Sequence, residues 1–121
     1  MSKIEKFIDF LNESKKTKTL EDFAKNRLAG ATKIAENAEK KGGDAMLTYY
    51  HFVVKLPYYK KAASGKFNIE KSVNELKSLH KKLHSLLETF EAKDQIPFQK
   101  VMGQIEVVGE LIIKYHELHK A

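Results

Sequence analysis

Apolar residues recur every three or four positions along almost the whole chain, and no run alternates with the two-residue period of a strand. Residues 2–13 place Ile4, Phe7, Ile8 and Leu11 on one stripe and predict a short first helix, followed by a polar connector over 14–18. Thr19 suits a helix N-cap, with Asp22 three residues on as a variant capping box. The helix it opens, over 20–41, carries the stripe Leu20, Phe23, Ala24, Arg27, Ala31, Ile34, Ala35, Ala38. Lys40 and Lys41 stand where the helix dipole favours cations, and Gly42-Gly43 end it. The triplet Ala29-Gly30-Ala31 predicts a small-residue surface that another helix can approach closely.

Asp44 can cap a third helix with Leu47, Tyr50, His51 and Val54 inward. Pro57 removes a hydrogen bond and clashes one turn back, so this helix is expected to kink or stop near Lys55. A short helical piece over 57–63 follows, closed by Ser64-Gly65. Asn68 suits the cap of a helix over 69–91, with Val73, Leu76, His80, Leu83, Leu87 and Phe90 in register and Leu79 and Leu86 widening the stripe. Residues 92–96 connect it to a last helix that has Pro97 in its first turn. Phe98, Val101, Met102, Ile105, Val108, Ile112 and Tyr115 point inward on that helix. Gly103 and Gly109 lie within it, each costing about 1 kcal/mol relative to Ala, which implies a close helix contact at both. The expected fold is all-α: an antiparallel helical bundle of four long helices plus a short N-terminal helix, in one domain over 1–121.

Composition narrows the chemistry. A 121-residue domain buries roughly 65–70% of its unfolded surface and needs no metal or disulfide to hold it. The absence of Cys removes thiolate nucleophiles, Cys-ligated zinc and iron–sulfur clusters. Glu5, Lys6 and Asp9 interrupt the N-terminal apolar residues, unlike a secretory signal. The longest uncharged run, 45–54, is about half of what spans a bilayer. A soluble, cytoplasmic protein without membrane association is expected.

The net charge is +6, from 22 basic and 16 acidic residues, and Arg27 is the only arginine. Lysine binds phosphate as a hydrated point charge, without the planar fork that reads bases or clamps phosphates. All of the excess belongs to residues 1–66, and no acidic residue occurs between Asp44 and Glu70. There the chain interleaves Tyr49, Tyr50, Tyr58, Tyr59 and Phe67 with Lys55, Lys60, Lys61 and Lys66. Rings that stack and lysines that release counterions suit a single-stranded nucleic acid or another polyanion. Lys55, Tyr58, Tyr59, Lys60, Lys61 and Lys66 are the candidate ligand contacts. The plainer alternative packs the rings at the bundle rim and leaves the lysines solvated.

No catalytic motif is present: no phosphate-binding glycine loop, no dinucleotide fingerprint, no serine elbow. The chain is therefore expected not to be an enzyme and to need no cofactor. His80, His84 and Glu88 on the fourth helix and His116 on the last are weak candidates for a metal site in a bundle. The first three drift around the helix by about 40° per step, and Glu-x-x-His is absent. The expected role is a non-catalytic interaction or accessory module that binds a protein partner or a second copy of itself. Polyanion binding through segment 49–67 and metal binding are the alternatives.

Overall fold

The computed structural model describes residues 19–119. The expected helix over 2–13 and its connector lie outside the described residues. Everything described is helical or a short connection, with no strand among the described residues.

Helix α1, Leu20–Lys41, starts where the sequence places it. Thr19 is extended, and its Oγ1 accepts a hydrogen bond from the Asp22 N–H at 3.1 Å. Gly42 and Gly43, at φ 65° and 57°, take the left-handed conformation that ends a helix without a Cβ penalty. The inner face is a row of small residues, Ala24, Ala31, Ala35 and Ala38, all buried. The close-approach surface expected at residues 29–31 is only half right. Ala29 and Gly30 are exposed, and a Cβ on Gly30 would meet nothing within 4 Å. A helix turns about 100° per residue, so of the triplet only Ala31 reaches the alanine row.

Helix α2 spans Ala45–Val53 and α3 spans Leu56–Ala63. Asp44 precedes α2 but makes no side-chain cap bond. The glycine turn supplies the partners instead: the carbonyls of Gly42, Gly43 and Asp44 accept from the N–H groups of Ala45, Met46 and Leu47 at 3.1–3.2 Å. The expected interruption falls at Val54-Lys55, yet both residues keep right-handed helical dihedrals. Pro57 sits in the first turn of α3, where its missing N–H leaves no bond unmade. The α2–α3 pair therefore presents residues 51, 55 and 59 along one side despite the break.

Helix α4, Ile69–Glu88, is capped by Asn68, whose Oδ1 accepts from the Lys71 N–H at 2.9 Å. It stops before residue 91 because Glu91 and Asp94 cap a short 3₁₀ turn, Ala92–Asp94, with the Glu91 N–H donating to Asp94 Oδ2 at 3.0 Å. Helix α5, Gln95–Leu118, follows directly and takes in Pro97 as a first-turn residue.

Helix α1 packs along α2 and α3, while α5 packs on α2 and on α4 and touches α1 and α3 more lightly. Contacts of Phe23 with Lys114 and of Arg27 with Glu110 show that α1 runs opposite to α5. Pairs Phe67–Tyr115 and Phe90–Phe98 show the same for α4 and its flanking residues. Helices α2–α3 and α5 run in the same direction, since His51 meets Gln99 and Tyr59 meets Glu110. Val101, Val107, Val108 and Leu111 on α5 are buried at the centre. On α4 only Leu79 is buried, because among the described elements α5 is its one extensive neighbour.

The two helix glycines of α5 separate. A Cβ on Gly103 would strike the His51 carbonyl oxygen and stand 2.7 Å from Val54 Cγ2, whereas Gly109 has nothing within 4 Å. The close contact expected at Gly109 is therefore absent, and Gly103 alone sets the α2–α5 distance. We expect Gly103→Ala to lower stability by about 2–3 kcal/mol, since a rigid backbone must move. Gly109→Ala should be neutral or raise it by up to about 1 kcal/mol. Urea unfolding of the two variants measures the contrast.

Candidate functional site

The Tyr/Lys segment that the sequence marks as a ligand surface divides in two. Lys55 is 7% exposed and Tyr59 is buried, Tyr58 is half-buried, and Lys60, Lys61 and Lys66 are exposed. The first group faces helix α5 or α4. Lys55 Nζ donates to Glu106 Oε1 at 3.1 Å and lies 4.5 Å from the centre of the Phe52 ring. Tyr59 donates its hydroxyl to Glu110 Oε1 at 2.7 Å, and Arg27 Nε approaches the same oxygen at 3.6 Å. Tyr58 donates to Glu75 Oε1 at 2.5 Å and ties α3 to α4.

One turn before Lys55, His51 completes the row. Its Nε2 donates to Glu106 Oε2 at 2.7 Å, so the carboxylate serves His51 with one oxygen and Lys55 with the other. Its Nδ1 is 3.1 Å from the Gln99 side-chain amide, whose two ends suit either protonation state of the ring. Residues 51, 55 and 59 thus meet 99, 106 and 110 across the α2–α5 contact, with Gly103 between the first two acceptors. No buried side-chain nitrogen or oxygen among the described residues lacks a partner.

The acceptors Gln99, Glu106 and Glu110 were not singled out by sequence reasoning. Their signal was available: polar residues at spacings of seven and four on a helix otherwise apolar on its inner side. The exposed lysines Lys60 and Lys61 occupy the last turn of α3, where the helix dipole favours cations, and Lys66 follows Gly65.

His80, His84 and Glu88 are exposed on α4, and His116 is exposed on α5. No group of three His, Cys, Asp or Glu is placed to hold a metal ion among the described residues. The four candidates are not brought together, because an α-helix rotates the 80, 84, 88 series away from any one point. No helix among the described residues is long and apolar enough to cross a membrane.

Of the five large apolar side chains exposed among the described residues, three lie together elsewhere, around the α4–α5 connection, while Ile34 on α1 and Ile113 on α5, the latter 62% exposed, do not belong to this group. At the end of the molecule where α4 turns into α5, Leu87 is 50% exposed, Phe90 42% and Ile96 40%. Phe90 meets Phe98 edge to face, with ring centres 5.6 Å apart. The chain matches no protein-family model, no curated protein and no solved structure.

Removing Glu106 and removing Lys55 should differ. Glu106→Gln leaves the buried Lys55 ammonium without its anion, and we expect a loss of about 2 kcal/mol, tempered by the half exposure of Glu106. Lys55→Met leaves Glu106 able to turn to water and should stay within about 1 kcal/mol of the parent. Chemical denaturation of both variants decides the sign.

Burial, and next the bond to Glu75 or Glu110, pushes the Tyr58 and Tyr59 hydroxyls well above the usual 10.0. The folded protein keeps these protons where the unfolded chain releases them. The stabilisation is therefore complete below pH 10 and is lost as pH rises above it. Two of the five tyrosines should ionise late in an ultraviolet pH titration, and Tyr58→Phe/Tyr59→Phe should flatten the alkaline fall in stability.

Proposed function

We propose that the protein is a non-catalytic helical-bundle interaction module that joins a protein partner or a second copy of itself through the α4–α5 end. The observation that carries this is three large apolar side chains close in sequence, Leu87, Phe90 and Ile96, left 40–50% exposed beside a connection that is otherwise well capped. Exposed large side chains gathered at one place, rimmed here by Glu88, Glu91 and Asp94, mark an association surface more often than a solvated one. The polar groups inside the fold support the same reading from the other side. His51 and Lys55 bond Glu106 and Tyr59 bonds Glu110, which accounts for them as structure between α2–α3 and α5.

Polyanion binding is supported by less. Of the six residues expected to carry it, only Lys60, Lys61 and Lys66 are exposed, and stacking on Tyr59 would require opening the α3–α5 contact.

The test replaces Leu87, Phe90 and Ile96 with Ser together. Sedimentation velocity over a concentration series reads self-association, and affinity capture with the parent and the variant as paired baits reads partner binding. The substituted positions are half-buried and Phe90 packs on Phe98, so the thermal midpoint should fall modestly while the far-ultraviolet spectrum stays that of the parent. A dimer or a captured protein that is lost with the triple variant supports the proposal. Equal behaviour of parent and variant in both assays overturns it.

A further inference from the structure

At the opposite end of the molecule, the start of α1, the α3–α4 connection and the end of α5 enclose a half-open cleft of about 290 Å³. We propose that this cleft binds a small alkylammonium cation, such as a free amine or the side chain of a lysine on another molecule. The inference is independent of the association surface at the α4–α5 end.

Three rings form the wall of the cleft. Phe67 and Tyr115 meet at 5.6 Å between ring centres and 43°, and His119 stacks on Tyr115 at 4.1 Å and 23°. Aromatic faces carry negative electrostatic potential and attract a cation within about 6 Å of the ring centre; His119 covers one face of Tyr115, so Phe67 and the outer faces of the stacked pair are what a cation can meet. Facing them is Glu21, whose Oε1 lies 3.6 Å from where a Cβ on Gly65 would stand. Gly65 takes φ 78°, so that side of the cleft carries no side chain and stays open.

Two details set the sign of the ligand. Glu21 is the carboxylate in the cleft lining and, like Glu36, Glu39, Glu70, Glu75 and Glu88, pairs with no cation among the described residues, so the sign rests on its place in the cleft. Its negative charge also answers the positive end of the α1 dipole, so an anion entering there meets a carboxylate first. The His119 Nδ1 is held 2.8 Å from the Tyr115 carbonyl and donates to it. In the neutral ring this leaves Nε2 as an acceptor for an ammonium N–H. Phe67, Leu118 and Leu20 supply apolar surface for a short alkyl chain. The net +6 of the chain opposes cation capture only weakly, because salt screens charges beyond about 8 Å and Glu21 is at contact.

The experiment titrates the full chain with n-butylammonium chloride, and separately with 1-butanol as the neutral isostere and sodium butyrate as the anionic one. Proton NMR of the Phe67 and Tyr115 rings reports occupancy. The expected result is a saturable shift with n-butylammonium in the millimolar range and a much weaker response to the other two. Glu21→Gln should weaken n-butylammonium binding about fivefold, the loss of one partly exposed ion pair. Tyr115→Leu, checked for an unchanged far-ultraviolet spectrum, should abolish it. Gln99→Ala, far from the cleft, serves as the control and should bind as the parent does. No saturable shift, an equal response to 1-butanol, or unchanged affinity in Glu21→Gln would overturn the proposal. Because the apolar residues at the α4–α5 end are untouched, none of these results bears on association there.

Discussion

The contact between α2 and α5 governs the rest of the molecule. Gly103 lets the two backbones meet at the His51 carbonyl, closer than any side chain would allow. At that separation His51, Lys55 and Tyr59 lose most of their water, while Glu106 and Glu110 keep part of theirs. Each must find a partner across the interface, because an unsatisfied buried group costs about as much as the contact gains. His51, Lys55 and Tyr59 meet Gln99, Glu106 and Glu110 in a register that a one-residue slip would destroy. Two helices that run the same way and close on each other along hydrogen bonds are fixed in rotation and in height. The alanine row of α1 and the leucines of α4 then pack on the two sides of this pair.

The break between α2 and α3 is part of the same constraint. A proline that redirected the chain would carry Tyr59 away from Glu110. Here Val54 and Lys55 stay helical, and Pro57 falls in the first turn of the next helix, so the side chains at 51, 55 and 59 hold one face. The proline marks a change of segment without a change of direction. This is why Lys55 and Tyr59, within a stretch rich in tyrosine and lysine, become interior structure while Lys60, Lys61 and Lys66 stay on the surface.

Helix positions were legible from apolar spacing and caps. Thr19 and Asn68 open α1 and α4 as their side chains require, and the glycine pair closes α1. Which polar residues are interior was not legible, because spacing gives the face of one helix and not the identity of the face opposite. Lys55 reads as a solvated cation until Glu106 is known to lie against it. Gly103 and Gly109 look alike in sequence, yet one is a backbone contact and the other faces open space. The same limit applies to Glu21, Phe67, Tyr115 and His119. They are far apart in the chain, and only the convergence of three chain segments makes them one cleft.

The two ends of the molecule differ because of how α4 is held. Its extensive contact is with α5 alone, and Tyr58–Glu75 is the hydrogen bond that ties it to α3. At the α3–α4 connection, Phe67 packs on Tyr115 and anchors the start of α4. At its far end no third helix among the described residues covers Leu87, Phe90 and Ile96, and the edge contact of Phe90 with Phe98 is made between the two helices' own flanking residues. A helix buried on one side only loses apolar burial in proportion to the uncovered face. Sequence patterning still gives that face leucine and phenylalanine rather than lysine and glutamate. Apolar side chains retained where no other described element covers them are a cost in solubility, which is the physical ground for the association proposed at this end.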